Sequence, residues 1–420
     1  MIKSLLCSRK FMPLFMTQFL GALNDNIFKN ALVIFVLFTL APQHAPLYAT
    51  AAAGIFILPF ALFSSLAGFF SDTTDKALIM RAVKAAEIAI MLLAAAAFYL
   101  QSICFLLFVL FLMGTHSAFF GPAKYSILPQ HLPPEMLVAG NGLLSLGTFV
   151  AILSGAIIGT LGIAGENGVE IIASICLAVA GFLCSFYIPA APPAPSNIHL
   201  SPHLLKDTGR MMTLTLSGKE TRRCAIAISW FWFLGVTYLT QFPNLAVQVF
   251  HADESVVTLF LVMFTLGVAA GSLLCGKLLH DRVSTHLASY AALVLVIFGL
   301  DFCAAAKAYT PSGAVPVNIS VFVAQGFLPL RLLFDLLMLS TAGGVFYVPL
   351  YARVQGLIPL DRRARVMAGI GFLNAVFMAL SSLVGMVLLA LGFSSLGVVF
   401  VSVFMTLGIA IYCRPPGKHA

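Results

Sequence analysis

Long apolar stretches, many of them exceeding the roughly 18 residues that a membrane span requires, alternate along the chain with short polar breaks. Few of these stretches show the period-two alternation of strands, so helices are expected rather than a barrel. The pattern predicts spans near residues 11–40, 47–71, 77–100, 102–124, 136–163, 169–188, 222–250, 255–279, 285–307, 330–352, 366–392 and 394–413. One longer break, residues 189–221, passes through Pro189, Pro192, Pro193 and Pro195 and ends Lys219-Glu220-Thr221-Arg222-Arg223. It divides the spans into two sets of six. The expected fold is therefore an all-α integral membrane protein of twelve transmembrane helices. A six-helix bundle over 1–188, a cytoplasmic linker over 189–221 and a six-helix bundle over 222–420 would form two pseudo-symmetric halves around a central cavity. In the linker, Leu204, Leu205, Thr208, Met211 and Met212 fall on one face of a short interfacial helix.

The first span breaks its own pattern. At 100° per residue, Gln18, Gly21, Asp25 and Lys29 lie within about 80° of one another, flanked by Asn26 and Asn30 and preceded by Asn24. A charge at the bilayer centre costs about 2.5–3.5 kcal/mol on insertion scales, so such groups usually face a water-filled or substrate-filled path. Gln18, Asn24, Asp25, Asn26, Lys29 and Asn30 are therefore the leading candidates for a translocation site. Asp25 and Lys29 also stand at i, i+4, the spacing of an intrahelical ion pair. They either neutralise each other or meet opposite ends of a charged ligand.

In the second half, Tyr238 and Gln241, beside Trp230 and Trp232, are candidates to line the cavity or simply to pack. Arg331 and Asp335 repeat the i, i+4 spacing and read as a clasp between helix ends. Alternatively, Arg331 takes an entering phosphate, for which a planar guanidinium is suited.

Composition narrows the class. The chain is 60% hydrophobic and 9% charged, against about 25% charged for soluble domains, and its mean hydropathy is +1.02. A net charge of +8 could suggest nucleic acid. Its placement does not: of the 23 Lys and Arg, all but Lys29, Lys307 and Arg331 fall in the termini, the even-numbered loops or their flanks, with Lys84 counted as a flank. That bias places both termini in the cytoplasm and makes the basicity a topology signal, with no nucleic-acid partner expected. The first apolar run is too long for a cleavable signal peptide. The eight Cys show no paired spacing, so neither disulfides nor a metal site is expected.

Two weak echoes support internal symmetry. Gly68-Phe-Phe-Ser-Asp72-Thr-Thr-Asp-Lys76 follows the second span and Gly276-Lys-Leu-Leu-His-Asp281-Arg282 the eighth. In each, glycine permits close helix approach and the acid and base can bridge to neighbouring helix ends. Asp72, Lys76, Asp281, Arg282 and Asp335 are thus the candidate gating residues. Gly155 and Gly159, and again Gly267 and Gly271, carry the spacing for backbone-to-backbone helix contact. His116 reads first as an interhelical hydrogen bonder and second as a proton relay. No nucleotide-binding glycine loop, metal-ligand cluster or His-x-x-x-x-Asp signature occurs, so neither an enzyme nor a cofactor is expected.

The segments Thr17-Gln-Phe-Leu-Gly-Ala-Leu-Asn-Asp-Asn-Ile-Phe-Lys-Asn30, Gly121-Pro-Ala-Lys-Tyr-Ser-Ile-Leu-Pro129 and Gly147-Thr-Phe-Val-Ala-Ile152 resemble the bacterial lysophospholipid transporters, a branch of the major facilitator superfamily. So do Ser229-Trp-Phe-Trp-Phe-Leu-Gly235, Val256-Val-Thr-Leu259, Gly271-Ser-Leu-Leu-Cys-Gly-Lys277, Val348-Pro-Leu-Tyr-Ala352 and Arg363-Ala-Arg-Val366. The same module is fused to 2-acylglycerophosphoethanolamine acyltransferases. The resemblance implies a monomeric, alternating-access flippase of the bacterial inner membrane. It would return lysophosphatidylethanolamine-type lipids to the cytoplasmic leaflet for re-acylation by a separate acyltransferase. Asp25 is similar to an acid the family uses in its cavity. The chain departs from the family at Ser145, where a glutamate is common, and at Ile370-Gly371, where an Asn-Asn pair is. A proton-coupled small-solute or drug exporter working through Asp25 is the alternative. A passive membrane scaffold would not need buried charge.

Overall fold

The structure, a computed structural model, describes residues 2–36, 45–163, 169–195, 203–279, 285–311 and 316–413. Each expected span coincides with a helix. These are α1 (Met12–Phe35), α2 (Ala45–Thr73), α3 (Lys76–Tyr99), α4 (Ile103–His131), α5 (Leu137–Ile163), α6 (Val169–Ser185), α7 (Lys219–Gln248), α8 (Glu254–Leu278), α9 (His286–Ala308), α10 (Phe327–Leu357), α11 (Arg363–Ala390) and α12 (Ser395–Tyr412). Among the described residues, nine helices are long and apolar enough by composition to cross a membrane. The fold is all-α, and the chain is a multi-pass membrane protein.

Local chemistry sets the helix ends. Asp75 accepts from the Ala77 amide at 2.8 Å to start α3, and also from the Ala191 amide at 3.1 Å, tying the chain beyond α6 to the same point. Asp253 caps α8 through the Ser255 amide at 2.9 Å, and Ser394 caps α12 through Gly397 at 3.2 Å. Such caps satisfy amides that a helix start leaves without partners. At the other end of α6, Arg81 donates to the carbonyls of Ser185 and Ile188, a cation where the helix dipole is negative.

The described chain forms two compact units. The first comprises Met1–Arg222 and Val354–Ala375, the second Arg223–Arg353 and Val376–Ala420. In the first unit α1 packs on α5 and α6, α2 on α4, and α3 on α4 and α6. The α1–α5 contact depends on small residues. A methyl group at Gly155 would stand 2.6 Å from Asn26 Cβ and 2.9 Å from the Leu23 carbonyl, and one at Gly159 would stand 3.0 Å from Asn30 Cβ. In the second unit α9 packs on α12. There Gly271 and Gly344 bring α8 and α10 together, a methyl at Gly344 standing 2.6 Å from the Ser272 amide. Backbone-to-backbone approach of this kind is how helices associate where lipid offers no hydrophobic driving force.

The linker helix Leu204–Ser217 forms, but its packed face differs from the expected one. Met211 and Thr215 are buried, and Thr208 donates to Ser65 of α2 at 3.3 Å, whereas Leu205 is 87% exposed. Thr215 sits against Gly369, where a methyl would meet its Cβ at 3.0 Å. The helix is thus held to the first unit through positions spaced by three and four residues.

Candidate functional site

The polar residues of α1 do not act as one stripe; neighbouring helices draw them apart. Gln18 donates to Thr148 of α5 at 2.8 Å. Asn26 and Asn30 turn back onto the carbonyls of Ala22 and Asn26, at 2.7 and 2.8 Å, each bonding the residue four before it. These three residues therefore stabilise helix and packing. Asn24, fully buried, donates to Glu87 Oε1 of α3 at 2.8 Å.

Asp25 and Lys29 each make their closest contact with another helix rather than with each other. Ser117 of α4 donates to Asp25 Oδ2 at 2.8 Å, while the Lys29 ammonium lies 4.4 Å from the centre of the Phe56 ring on α2. Each charge is held by a different helix, the lysine by a cation–π contact that remains favourable away from water. Asp25 Oδ1 is covered and has no hydrogen-bond donor. Both residues are half-buried. The result is an acid and a base one turn apart whose contacts run to two different helices.

Behind Asp25, beside His116, lies a charge pair that sequence reasoning missed. Lys84 and Glu87 of α3 are ion-paired and, at 1% and 2% exposure, fully enclosed. His116 Nε2 of α4 stands 3.1 Å from Glu87 Oε2. The Lys84 ammonium also faces the Phe120 ring at 5.4 Å, and Gly21 of α1 leaves the space it occupies. Lys84 is therefore no loop flank: it lies two turns into α3, and its assignment to the cytoplasmic edge is corrected. The signal was present, because Lys84-x-x-Glu87 is an i, i+3 charge pair inside an apolar run.

In the second unit the candidates are more dispersed. Tyr238 is buried among Phe242, Phe264 and Phe302, with ring centres 6.0, 6.0 and 6.5 Å away. Gln241 is buried as well, and its Oε1 has no donor. Trp230 stacks on Phe233 and donates to Thr406 at 3.1 Å. Arg331 makes its clasp with Asp301 of α9, donating from Nε at 3.0 Å and from a second guanidinium nitrogen. The expected Arg331–Asp335 clasp is thus corrected: the fork matches a carboxylate across the helix interface better than one along its own helix. Asp335 is 1% exposed, with Oδ2 lacking a donor.

Of the candidate gating residues, Asp72 has the most developed contacts. It accepts from the Ala364 amide at 2.8 Å, the Arg365 amide at 3.2 Å and Arg365 Nε at 2.9 Å. A carboxylate thus seats on the start of α11, where free amides and the helix dipole both favour it. Gly68, one turn earlier, lets Arg365 and Ala368 approach: a methyl there would lie 2.9 Å from each. Lys76 is fully buried and its ammonium has no hydrogen-bond partner. Asp281 and Arg282 lie outside the described residues. Hydrogen bonds to a charged group are worth about 1.5–3 kcal/mol each. Asp72→Ala is accordingly expected to speed hydrogen exchange at the Ala364 and Arg365 amides by about tenfold to a hundredfold, read by mass spectrometry on the solubilised protein.

The model of the major facilitator superfamily matches residues 14–381. The chain belongs to that superfamily. It is therefore a transporter, and its membership explains why the charges lie inside helices rather than at a catalytic surface. Among curated relatives, the lysophospholipid transporter LplT of Serratia proteamaculans (strain 568) is 27% identical over 363 residues, 83% of this chain and 81% of that one. LplT of Yersinia pestis (strain Pestoides F) is 26% identical, covering 83% and 79%. Among solved structures, the human organic anion transporter MFSD10 superposes with a TM-score of 0.79 at 16% identity, over 97% of this chain and 99% of that one. The transporter FucP in its outward conformation gives 0.70 at 14% identity, over 96% and 97%. At these identities the structures speak for the superfamily fold alone.

Proposed function

We propose that this transporter carries lysophospholipids, chiefly of the ethanolamine type, across the bacterial inner membrane to the cytoplasmic leaflet by alternating access of its two bundles. The observation that carries this reading is the separation of Asp25 and Lys29. A zwitterionic headgroup brings an ammonium and a phosphate that need opposite partners a few ångströms apart. Asp25, with one oxygen lacking a donor, suits the ammonium, and Lys29, its ammonium over the Phe56 ring, suits the phosphate. The acyl chain needs an apolar route, which a chain with 37 Phe and few charges provides. That relatives of this chain are lysophospholipid transporters supports the same substrate class.

In this reading both termini are cytoplasmic, the protein works as a monomer, and a separate acyltransferase re-acylates the product. Asp72 on α11 is the gating contact. Uptake of labelled lysophosphatidylethanolamine into spheroplasts with and without the protein tests the proposal. Protein-dependent uptake is expected; its absence would reject the lipid substrate and favour a small-solute exporter.

A further inference from the structure

We infer that Phe56 of α2 is a positioning residue for the headgroup site: its ring holds the Lys29 ammonium in place for the substrate's phosphate. The role rests on the lipid reading for its substrate, and the test below separates the two.

Two rungs join α1 to its neighbours. On the first, Ser117 of α4 donates to Asp25 Oδ2 at 2.8 Å. On the second, the Lys29 ammonium lies 4.4 Å from the centre of the Phe56 ring. One helix, α4, fixes both. Gly114, three residues before Ser117, lets α2 approach: a methyl there would stand 2.4 Å from the Phe56 carbonyl and 3.0 Å from Pro59 Cγ. Phe56 also packs on the buried cluster that includes Phe28, Leu110 and Met113, and its ring centre lies 6.2 Å from that of Phe60. The ring is therefore held by its own surroundings, independently of the lysine.

Local order offers Lys29 a second partner. Asp25 precedes it by four residues, and an acid one turn before a base is the favourable order for an ion pair within a helix. The flexible four-carbon stem gives the ammonium that reach. Over the ring, the ammonium meets the negative face of a π-system, an attraction that strengthens where water is scarce. Phe56 thus competes with Asp25 for the same ammonium. Asp25 takes its hydrogen bond from Ser117 and keeps one oxygen without a donor. Without the ring, Asp25 is the partner left to Lys29. Substrate would then have to part the two before either could meet the headgroup, and groups already in place cost binding less than groups that must first be moved.

Uptake of labelled lysophosphatidylethanolamine into spheroplasts, at matched protein levels, tests this through KM. Phe56→Leu should raise KM by about twofold to thirtyfold, the range of a cation–π contact, with the maximal rate close to the parent's. Phe56→Tyr keeps a ring and should hold KM within about twofold of the parent's. In a Lys29→Gln background, Phe56→Leu should change KM no further, since a ring that acts through the ammonium has nothing left to hold. An unchanged KM in Phe56→Leu would overturn the inference. So would a rise of equal size with and without the lysine, which is the result of plain packing. If the parent moves no lipid, the lipid reading fails and a second measurement decides whether the ring holds the lysine. In solubilised, substrate-free protein carrying carbon-labelled lysine, the ε-methylene proton signal that Lys29→Gln lacks should be shifted upfield by the ring current. It should move downfield in Phe56→Leu and stay in Phe56→Tyr. A signal at the same place in all three chains overturns the holding role.

Discussion

Replacing Glu87 by leucine is expected to destabilise the protein by about 3–5 kcal/mol, because it leaves the Lys84 ammonium buried without its counter-charge. Lys84 is 1% exposed and sits among α1, α3 and α6, and among the described residues its ion-pair partner is Glu87. The same change removes the acceptor for Asn24 and for His116, so three helices lose a shared contact. Removing both charges has the opposite logic. Lys84→Met with Glu87→Leu eliminates two desolvated ions together, and buried pairs exchanged for apolar residues are often neutral or stabilising. The double variant should therefore recover most of the lost stability. Thermal unfolding of the detergent-solubilised single and double variants measures this. A single variant as stable as the parent would mean that the pair contributes nothing.

The second large effect concerns transport. Asp25→Asn keeps the shape and an oxygen for Ser117 but removes the negative charge proposed to meet the headgroup ammonium. A lost hydrogen bond to a charged partner is worth about 1.5–3 kcal/mol, or roughly tenfold to a hundredfold in rate. Initial uptake of lysophosphatidylethanolamine in spheroplasts, at matched protein levels, should fall by that factor. Stability should change little, since the Ser117 bond survives. Lys29→Gln should impair uptake with a different signature, weakening lipids by their phosphate rather than their amine. An unchanged uptake rate in Asp25→Asn would remove this residue from the binding site.

These predictions divide between residues that sequence reasoning found and residues that it did not. Asp25 was legible because a carboxylate in the middle of an apolar span is expensive anywhere, whatever surrounds it. Glu87 was not, because its partner Lys84 lies near enough to a basic loop to pass as a flank, which hid the i, i+3 pair. Arg331 was found, but its partner was misassigned, since spacing along one helix reveals only the neighbours on that helix. Asp301, on α9, entered only when two helices were brought side by side.

What the sequence determined by itself was the set of helices and their placement in a membrane. Apolar run length, proline and caps act within a few residues, so Met12–Phe35 through Ser395–Tyr412 follow from local order alone. The glycines at 155, 159 and 271 likewise announced close contacts. Only tertiary structure decided which helix received them, and which partner each polar group took. Asp25 turned to Ser117 rather than Lys29, Asn26 and Asn30 to their own backbone, and Asp72 to amides almost three hundred residues away. Inside a membrane every polar group must find a partner within the protein. Which partner is nearest depends on how helices pack, and that is a property of the whole bundle rather than of any one segment.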